Sequence, residues 1–284
     1  MTKYNIKGFA VGNGVTNWNF DVFASTPDTF YGFNMIPKTL YDTYNDNYCV
    51  QPFNGMNPTN GTDPKLCDDL FNEMMDLVAP LNYYDLFRKV YPDGEQFMAL
   101  EDRMETVTIG GQEKTYRKGF TAREMSPWKT MDSRQPVKEL TQSADLSTLV
   151  NTKEMREALH IPDEVPAWEQ CTSNEDFKWT YQQEGSQWIY EVLKQAGGIK
   201  MMHFSGDTDG MVPTSGTRKW VKELNYPVME KHRPWMSDNQ VAGFVTRYEG
   251  LDFVTVKGVG HMAPQWARPQ VLQLISDWIH NDTI

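Results

Sequence analysis

The stretch Ile199-Lys200-Met201-Met202-His203-Phe204-Ser205-Gly206-Asp207-Thr208-Asp209-Gly210 decides the fold. Ile199 to Phe204 is an apolar run of strand length that ends in a polar, glycine-punctuated turn. Directly before it, Trp188, Ile189, Val192 and Leu193 recur at helical spacing over about 186–196, and Gly197-Gly198 stops that helix. A helix, a strand and a functional-looking loop therefore follow one another with no slack between them. That succession is the unit from which layered α/β proteins are built.

The same grammar continues downstream. A helix is expected over 214–224, then strands over 241–248 and 251–257 around the tight turn Glu249-Gly250. The second strand runs into Gly258-Val259-Gly260-His261. After Pro264 comes an amphipathic helix with Val271, Ile275 and Trp278 on one stripe, and Leu272 and Ile279 beside it. Trp266 and Trp278 are expected to anchor this helix to the sheet.

Upstream, Thr152 can cap a short helix carrying Met155 and Leu159 and stopped by Pro162. Residues 5–11 form a short apolar strand that ends in Gly12-Asn13-Gly14. Between these, residues 19–145 are rich in Tyr, Asn, Asp, Pro and Met. They hold a helix near 65–78 (Leu66, Leu70, Met74, Leu77, Val78) and a hairpin near 105–117 turning at Gly110-Gly111. The expected organisation is a core strand in 1–18, a cap or lid insertion in 19–145, and a C-terminal α/β core in 146–284.

Composition sets outer bounds. The 284 residues are 39% hydrophobic and 23% charged, as in ordinary globular proteins, and the balance 27 − 38 gives a net charge of −11. A net negative field repels phosphate backbones, so nucleic acid is not an expected partner. No run of about 20 apolar residues is present, which argues against a membrane-spanning helix. Residues 1–8 contain no apolar segment of the signal-peptide kind, so none is expected in this chain. Cys49 and Cys67 flank a Pro/Asn/Gly-rich loop and make a candidate disulfide; Asn60-Gly61-Thr62 in that loop is a candidate glycosylation sequon, and Cys171 is left over. There is no His-x-x-Glu or Cys-x-x-Cys pair and no Gly-Lys-Ser/Thr, so neither a zinc site nor a phosphate loop is expected, and no cofactor.

Chemistry concentrates in two loops. Open α/β sheets place functional groups at the carboxyl ends of strands. Asp209 follows the first strand and His261 the last, in the order in which an α/β-hydrolase presents the second and third members of its triad. There, a carboxylate orients the imidazole, and the imidazole takes a proton from a serine and returns it to the leaving group. Spacing alone leaves the alternative that Asp209 is a turn residue and His261 a loop donor. His203, within a strand, reads as a buried core residue; His160, His232 and His280 read as structural or surface groups.

Phe204-Ser205-Gly206-Asp207-Thr208-Asp209-Gly210-Met211-Val212-Pro213 resembles the segment around the catalytic aspartate of serine carboxypeptidases. Val256 to Pro264 resembles the segment around their catalytic histidine, and Lys7 to Gly14 the strand that follows their nucleophile. Val241-Ala242-Gly243-Phe244, Glu157-Ala158-Leu159-His160, and Trp168 with Cys171 are similar as well. The resemblance implies an incomplete α/β-hydrolase fold, with Asp209 and His261 catalytic, Asp207 a structural neighbour, and Met262 lining the leaving-group side. It also implies peptide or protein C-termini as substrates and a lysosomal, vacuolar or secreted full-length protein, with the cysteine near position 171 bonded into an upstream half.

One departure is plain. None of the 20 glycines is followed two positions later by serine, so the Gly-x-Ser elbow of that family does not occur in these residues. The expectation is a chain corresponding to the downstream half of the family, such as a truncated gene model or splice product would give. Such a chain would lack turnover by itself and expose the apolar 5–11 strand as a sheet edge. A non-catalytic fragment or pseudoenzyme that binds a partner, and an acyltransferase using the same triad, are the alternatives.

Overall fold

The computed structural model describes residues 5–50, 61–88, 104–109, 112–117, 147–169, 182–280 and 284. The chain divides into two compact units, Met1–Phe87 with Tyr181–Ile284, and Arg88–Thr180. Residues 19–87, whose texture suggests a cap, thus belong to the same unit as the sheet. Asn60, Gly110-Gly111 and Cys171 lie outside the described residues.

The first unit is built on a five-stranded sheet of β1 (Gly8–Gly12), β4 (Lys200–Gly206), β7 (Leu251–Val256), β6 (Gln240–Tyr248) and β5 (Val228–Ser237), in that spatial order. β1, β4 and β7 are parallel, and β6 and β5 continue antiparallel. Register sets Gly12 beside Phe204 and Gly206 beside Val256, so three strand ends finish at one rim. β4 is buried from Met201 to Gly206 because both of its faces are covered, which is why it reads as one apolar run.

Alternation along β4 and β7 sorts two cores. Met202, Phe204, Val254 and Val256 pack with Val271, Leu274 and Trp278 of α8 (Arg268–His280). Met201, Leu251 and Phe253 pack with Tyr190 of α5 (Gln187–Ala196) and with Trp220 and Val221 of α6 (Thr214–Glu223). Trp278 is buried and Trp266 packs against the same core, as expected. Leu274 completes the buried face of α8, whereas Leu272 is 73% and Ile279 60% exposed. The α5 expectation is corrected in the same way: Tyr190 and Leu193 face the sheet, and Trp188, Ile189 and Val192 are exposed.

β5 was not legible in the sequence. It is an edge strand among the described residues, mostly exposed, and carries Glu230, Lys231, His232, Arg233 and Pro234, the composition that blunts a sheet edge. β1 is the opposite edge, paired with β4 alone among the described residues.

Around the sheet of this unit lie α1 (Thr26–Gly32), α2 (Lys38–Asp46) and α3 (Pro64–Val78). Asp63 caps α3 by accepting from the N–H groups of Lys65 and Leu66, and Pro64 occupies the first turn, where no donor is lost. Cys67, Leu70, Phe71, Met74, Met75 and Val78 form its buried face, while Leu77 is exposed. Cys49 and Cys67 are joined by a disulfide across 18 residues.

The second unit contains the hairpin β2 (Met104–Ile109) and β3 (Gln112–Arg117), in antiparallel register from Met104↔Arg117 to Ile109↔Gln112. That register matches the hairpin expected from sequence. It also contains the short helix α4 (Lys153–Ala158), where the Thr152 hydroxyl accepts from Met155 N–H. The Arg156 guanidinium donates to the carbonyls of Pro162, Val165 and Pro166, closing the chain after α4.

Candidate active site

The rim where β1, β4 and β7 end carries the expected pair. Past β4 the chain turns at Gly206, because the loop after β7 packs directly on it: a Cβ at Gly206 would lie 2.2 Å from the Gly260 carbonyl oxygen. The two loops are tied backbone to backbone. Asp207 N–H donates to Val256 C=O and Thr208 N–H to Val259 C=O. Asp207 Oδ1 accepts from Gly258 N–H at 2.6 Å, which gives it the structural part expected of it. Burial pushes the Asp207 pKa up, against that hydrogen bond.

Asp209 is 1% exposed and fully engaged. Oδ1 accepts from the N–H groups of Met211 (2.7 Å) and Val212 (3.1 Å). Oδ2 accepts from Asn13 Nδ2 at 2.7 Å and faces His261 Nδ1 at 2.9 Å. The other three partners are donors, so the carboxylate serves as acceptor throughout and Nδ1 carries the ring proton. Nε2 is then the nitrogen free to receive a proton, the tautomer that general-base work needs. Burial disfavours charging of His261, yet attraction and hydrogen bonding by Asp209 outweigh it, and the His261 pKa is raised above the ordinary imidazole value of 6.5.

Sequence reasoning did not assign Asn13 to this site. It stands just past β1 with φ 49°, a left-handed conformation asparagine tolerates. Its backbone N–H continues the ladder to Phe204 C=O, its Oδ1 accepts from Gly206 N–H, and its Nδ2 reaches Asp209. The available signal was an Asn in a Gly-rich turn at a strand end; nothing local links residue 13 to residue 209. A second segment also escaped notice: residues 82–86 lie against both loops, and His261 N–H donates to Tyr84 C=O at 2.6 Å.

The remaining histidines fall where expected. His203 is fully buried on β4, bonded through Nδ1 to Tyr190 OH at 3.1 Å, with burial pushing its pKa down to about 3. His160, His232 and His280 are exposed. Met262 follows His261 at the N-cap of α7 (Ala263–Trp266) and is half-buried. No group of three or more possible metal ligands occurs among the described residues, and no described helix is long and apolar enough to cross a membrane.

A profile of the serine carboxypeptidase family matches residues 1–281. Serine carboxypeptidase-like 21 of Arabidopsis thaliana is 31% identical, covering 99% of this chain and 59% of that protein. Serine carboxypeptidase 1 of Hordeum vulgare is 29% identical, covering 97% and 56%. The solved structure of Kex1(Δ)p, a prohormone-processing carboxypeptidase from Saccharomyces cerevisiae, superposes with a TM-score of 0.60 at 16% identity over 98% of this chain and 55% of that one. The chain belongs to the serine carboxypeptidase family and has part of its α/β-hydrolase fold. It spans somewhat more than half the length of these relatives.

Proposed function

We propose that this member of the serine carboxypeptidase family carries the acid–base half of a serine-type carboxypeptidase, with His261 as general base and Asp209 as its orienter. The observation that carries the reading is the 2.9 Å bond between Asp209 Oδ2 and His261 Nδ1. In the reaction, His261 Nε2 takes the proton of a serine hydroxyl as its oxygen attacks the carbonyl of the last peptide bond. It then gives that proton to the departing amine, leaving an acyl-serine that water hydrolyses. Met262, next to the base, is proposed to line the leaving-group side. Substrates are peptide or protein C-termini.

Since no Gly-x-Ser occurs in these 284 residues, the serine would come from other sequence. Removing one triad member leaves about 10³–10⁴-fold catalysis over water only where an oxyanion hole and substrate binding remain. We therefore expect no turnover from this chain by itself, a behaviour it would share with a non-catalytic fragment. The Cys49–Cys67 disulfide supports an oxidising compartment, a vacuole, lysosome or the cell exterior.

The test is a pH titration of His261 by NMR in the wild-type chain and in Asp209→Asn. A wild-type pKa above 6.5 that drops below it in the variant is expected; a His261 indifferent to the variant would sink the pair. Labelling of the chain by a fluorophosphonate would overturn the assignment of the nucleophile to other sequence.

A further inference from the structure

Four interactions connect residues 82–86 with the loops that bear Asp209 and His261. Gly210 N–H donates to Tyr83 C=O at 2.9 Å, and Leu86 N–H donates to Thr208 C=O at 2.9 Å. The Thr208 hydroxyl donates to Asp85 Oδ1 at 2.8 Å. From the next carbonyl along, Tyr84 C=O accepts the N–H of His261 itself. Consecutive carbonyls of one short segment therefore serve different loops.

The segment is built to be stiff. Asn82 through Leu86 are all buried. Asn82 Oδ1 accepts from Tyr84 N–H, and Asp85 Oδ1 also accepts from Phe87 N–H, so side chains fix the local turns. Tyr83 OH reaches back to Met75 C=O on α3. The fit against the loops is close: a Cβ at Gly260 would lie 1.8 Å from Tyr84 O, and one at Gly210 would lie 2.8 Å from Leu86 Cδ2. The Tyr84 ring also stands 5.6 Å from the His261 ring.

We infer that residues 82–86 are a clip that sets the distance between Asp209 and His261, with Tyr84 and Asp85 as positioning residues, Tyr84 acting through the His261 backbone and Asp85 through the Thr208 hydroxyl. This rests on reading Asp209 and His261 as the acid–base pair. The physical ground is that the two loops are glycine-rich and that, among the described residues and apart from the Asp209–His261 contact itself, the bonds between them lie near their bases, at residues 207, 208, 256, 258 and 259. Their tips, 209–210 and 260–261, are held by the clip.

Thr208→Val removes the hydroxyl that Asp85 Oδ1 accepts, with little change of side-chain shape and no added charge. Thr208→Ser keeps the hydroxyl. In the full chain, Thr208→Val should lower the His261 pKa by about half a unit, since a looser Asp209 contact leaves burial less opposed. It should also broaden the downfield Nδ1 proton signal, while Thr208→Ser stays within about 0.1 unit of wild type. A folded Thr208→Val with an unmoved His261, or a Thr208→Ser shifted as far, overturns the clip. Should Thr208→Val fail to fold, Gly210→Ala decides, because its Cβ meets Tyr83 O and Leu86 and pushes the clip off the aspartate loop. The same fall supports the inference, and an unmoved His261 defeats it. If Asp209→Asn also leaves His261 unmoved, the pair itself is wrong; if only the clip variants do, the pair stands.

Discussion

Asn13 Nδ2 lies 2.7 Å from Asp209 Oδ2, a bond between residues 196 apart in sequence that joins the ends of two neighbouring parallel strands. It exists because the β1–β4 register brings Gly12 beside Phe204, so that the residue after one strand meets the loop after the other. The same amide accepts from Gly206 N–H, so one side chain satisfies a buried donor and a buried carboxylate together.

Asn13→Ala should therefore be costly. It leaves Gly206 N–H without its acceptor, removes one of two partners of Asp209 Oδ2, and places alanine in a left-handed conformation. Losing bonds to a buried charged group costs about 1.5–3 kcal/mol, and the backbone adds about 1 more. Urea unfolding should show a drop of about 3 kcal/mol; a change under about 1 kcal/mol would remove Asn13 from the frame of the site.

Gly206→Ala tests how tightly the two loops meet. Its Cβ would lie 2.2 Å from Gly260 O and 2.4 Å from Val259 O, both backbone atoms that no side-chain rotation relieves. Overpacking of this kind costs about 1–3 kcal/mol or more. A lower thermal midpoint is expected together with a fall of the His261 pKa, because separating the loops lengthens the Asp209 contact. A variant as stable as wild type would show that the loops yield freely.

What was legible followed from burial and local chemistry. β4 and β7 are covered on both faces, so their apolar runs stand out between glycines, and the loops after them display Asp209 and His261 openly. β5 lies at an edge, and its charges and Pro234 erase any alternation. α2 buries only Leu40 and Tyr44, too few positions to draw a stripe. The exposure of Trp188 and Val192 on α5 misleads in the opposite sense, since an apolar stripe there does not face the sheet. Asn13 and the 82–86 clip were illegible for a deeper reason: each acts by tertiary bonds to residues more than 100 positions away, which no local pattern encodes.

The disulfide closes the loop between α2 and α3 over 18 residues. Cross-linking a loop of this length restricts the unfolded chain by about 3 kcal/mol. Cys49→Ser with Cys67→Ser should lower the unfolding free energy by about that much, and reductant should destabilise wild type but not the double variant. Equal response of both proteins to reductant would mean the bridge contributes nothing.

The acid side of the stability curve should be governed by two buried groups of opposite sign. His203 has its pKa pushed down to about 3 by burial. Between pH ~3 and ~6.5 the unfolded chain binds a proton there that the folded chain does not, so stability falls as pH falls, by about 1.4 kcal/mol per unit. Asp21, fully buried and held by the N–H groups of Thr16 and Asn17, has its pKa raised to about 7, mainly by burial. Between pH ~4 and ~7 the folded chain holds that proton and the unfolded chain does not, so stability rises as pH falls, with the same slope. In their shared window, pH ~4 to ~6.5, the two nearly cancel. His261, with its raised pKa, contributes stability that is full below pH ~6.5 and fades as pH climbs through its folded value, outside most of that window. Wild type should accordingly show a shallow profile there, tilted toward greater stability on acidification by Asp207 and Asp252, whose pKa values burial also raises. Asp21→Asn should lose stability steadily on acidification, and His203→Phe should gain it. Urea unfolding at half-unit pH steps reads both slopes directly, and parallel profiles for the two variants would show that neither group titrates as its burial demands.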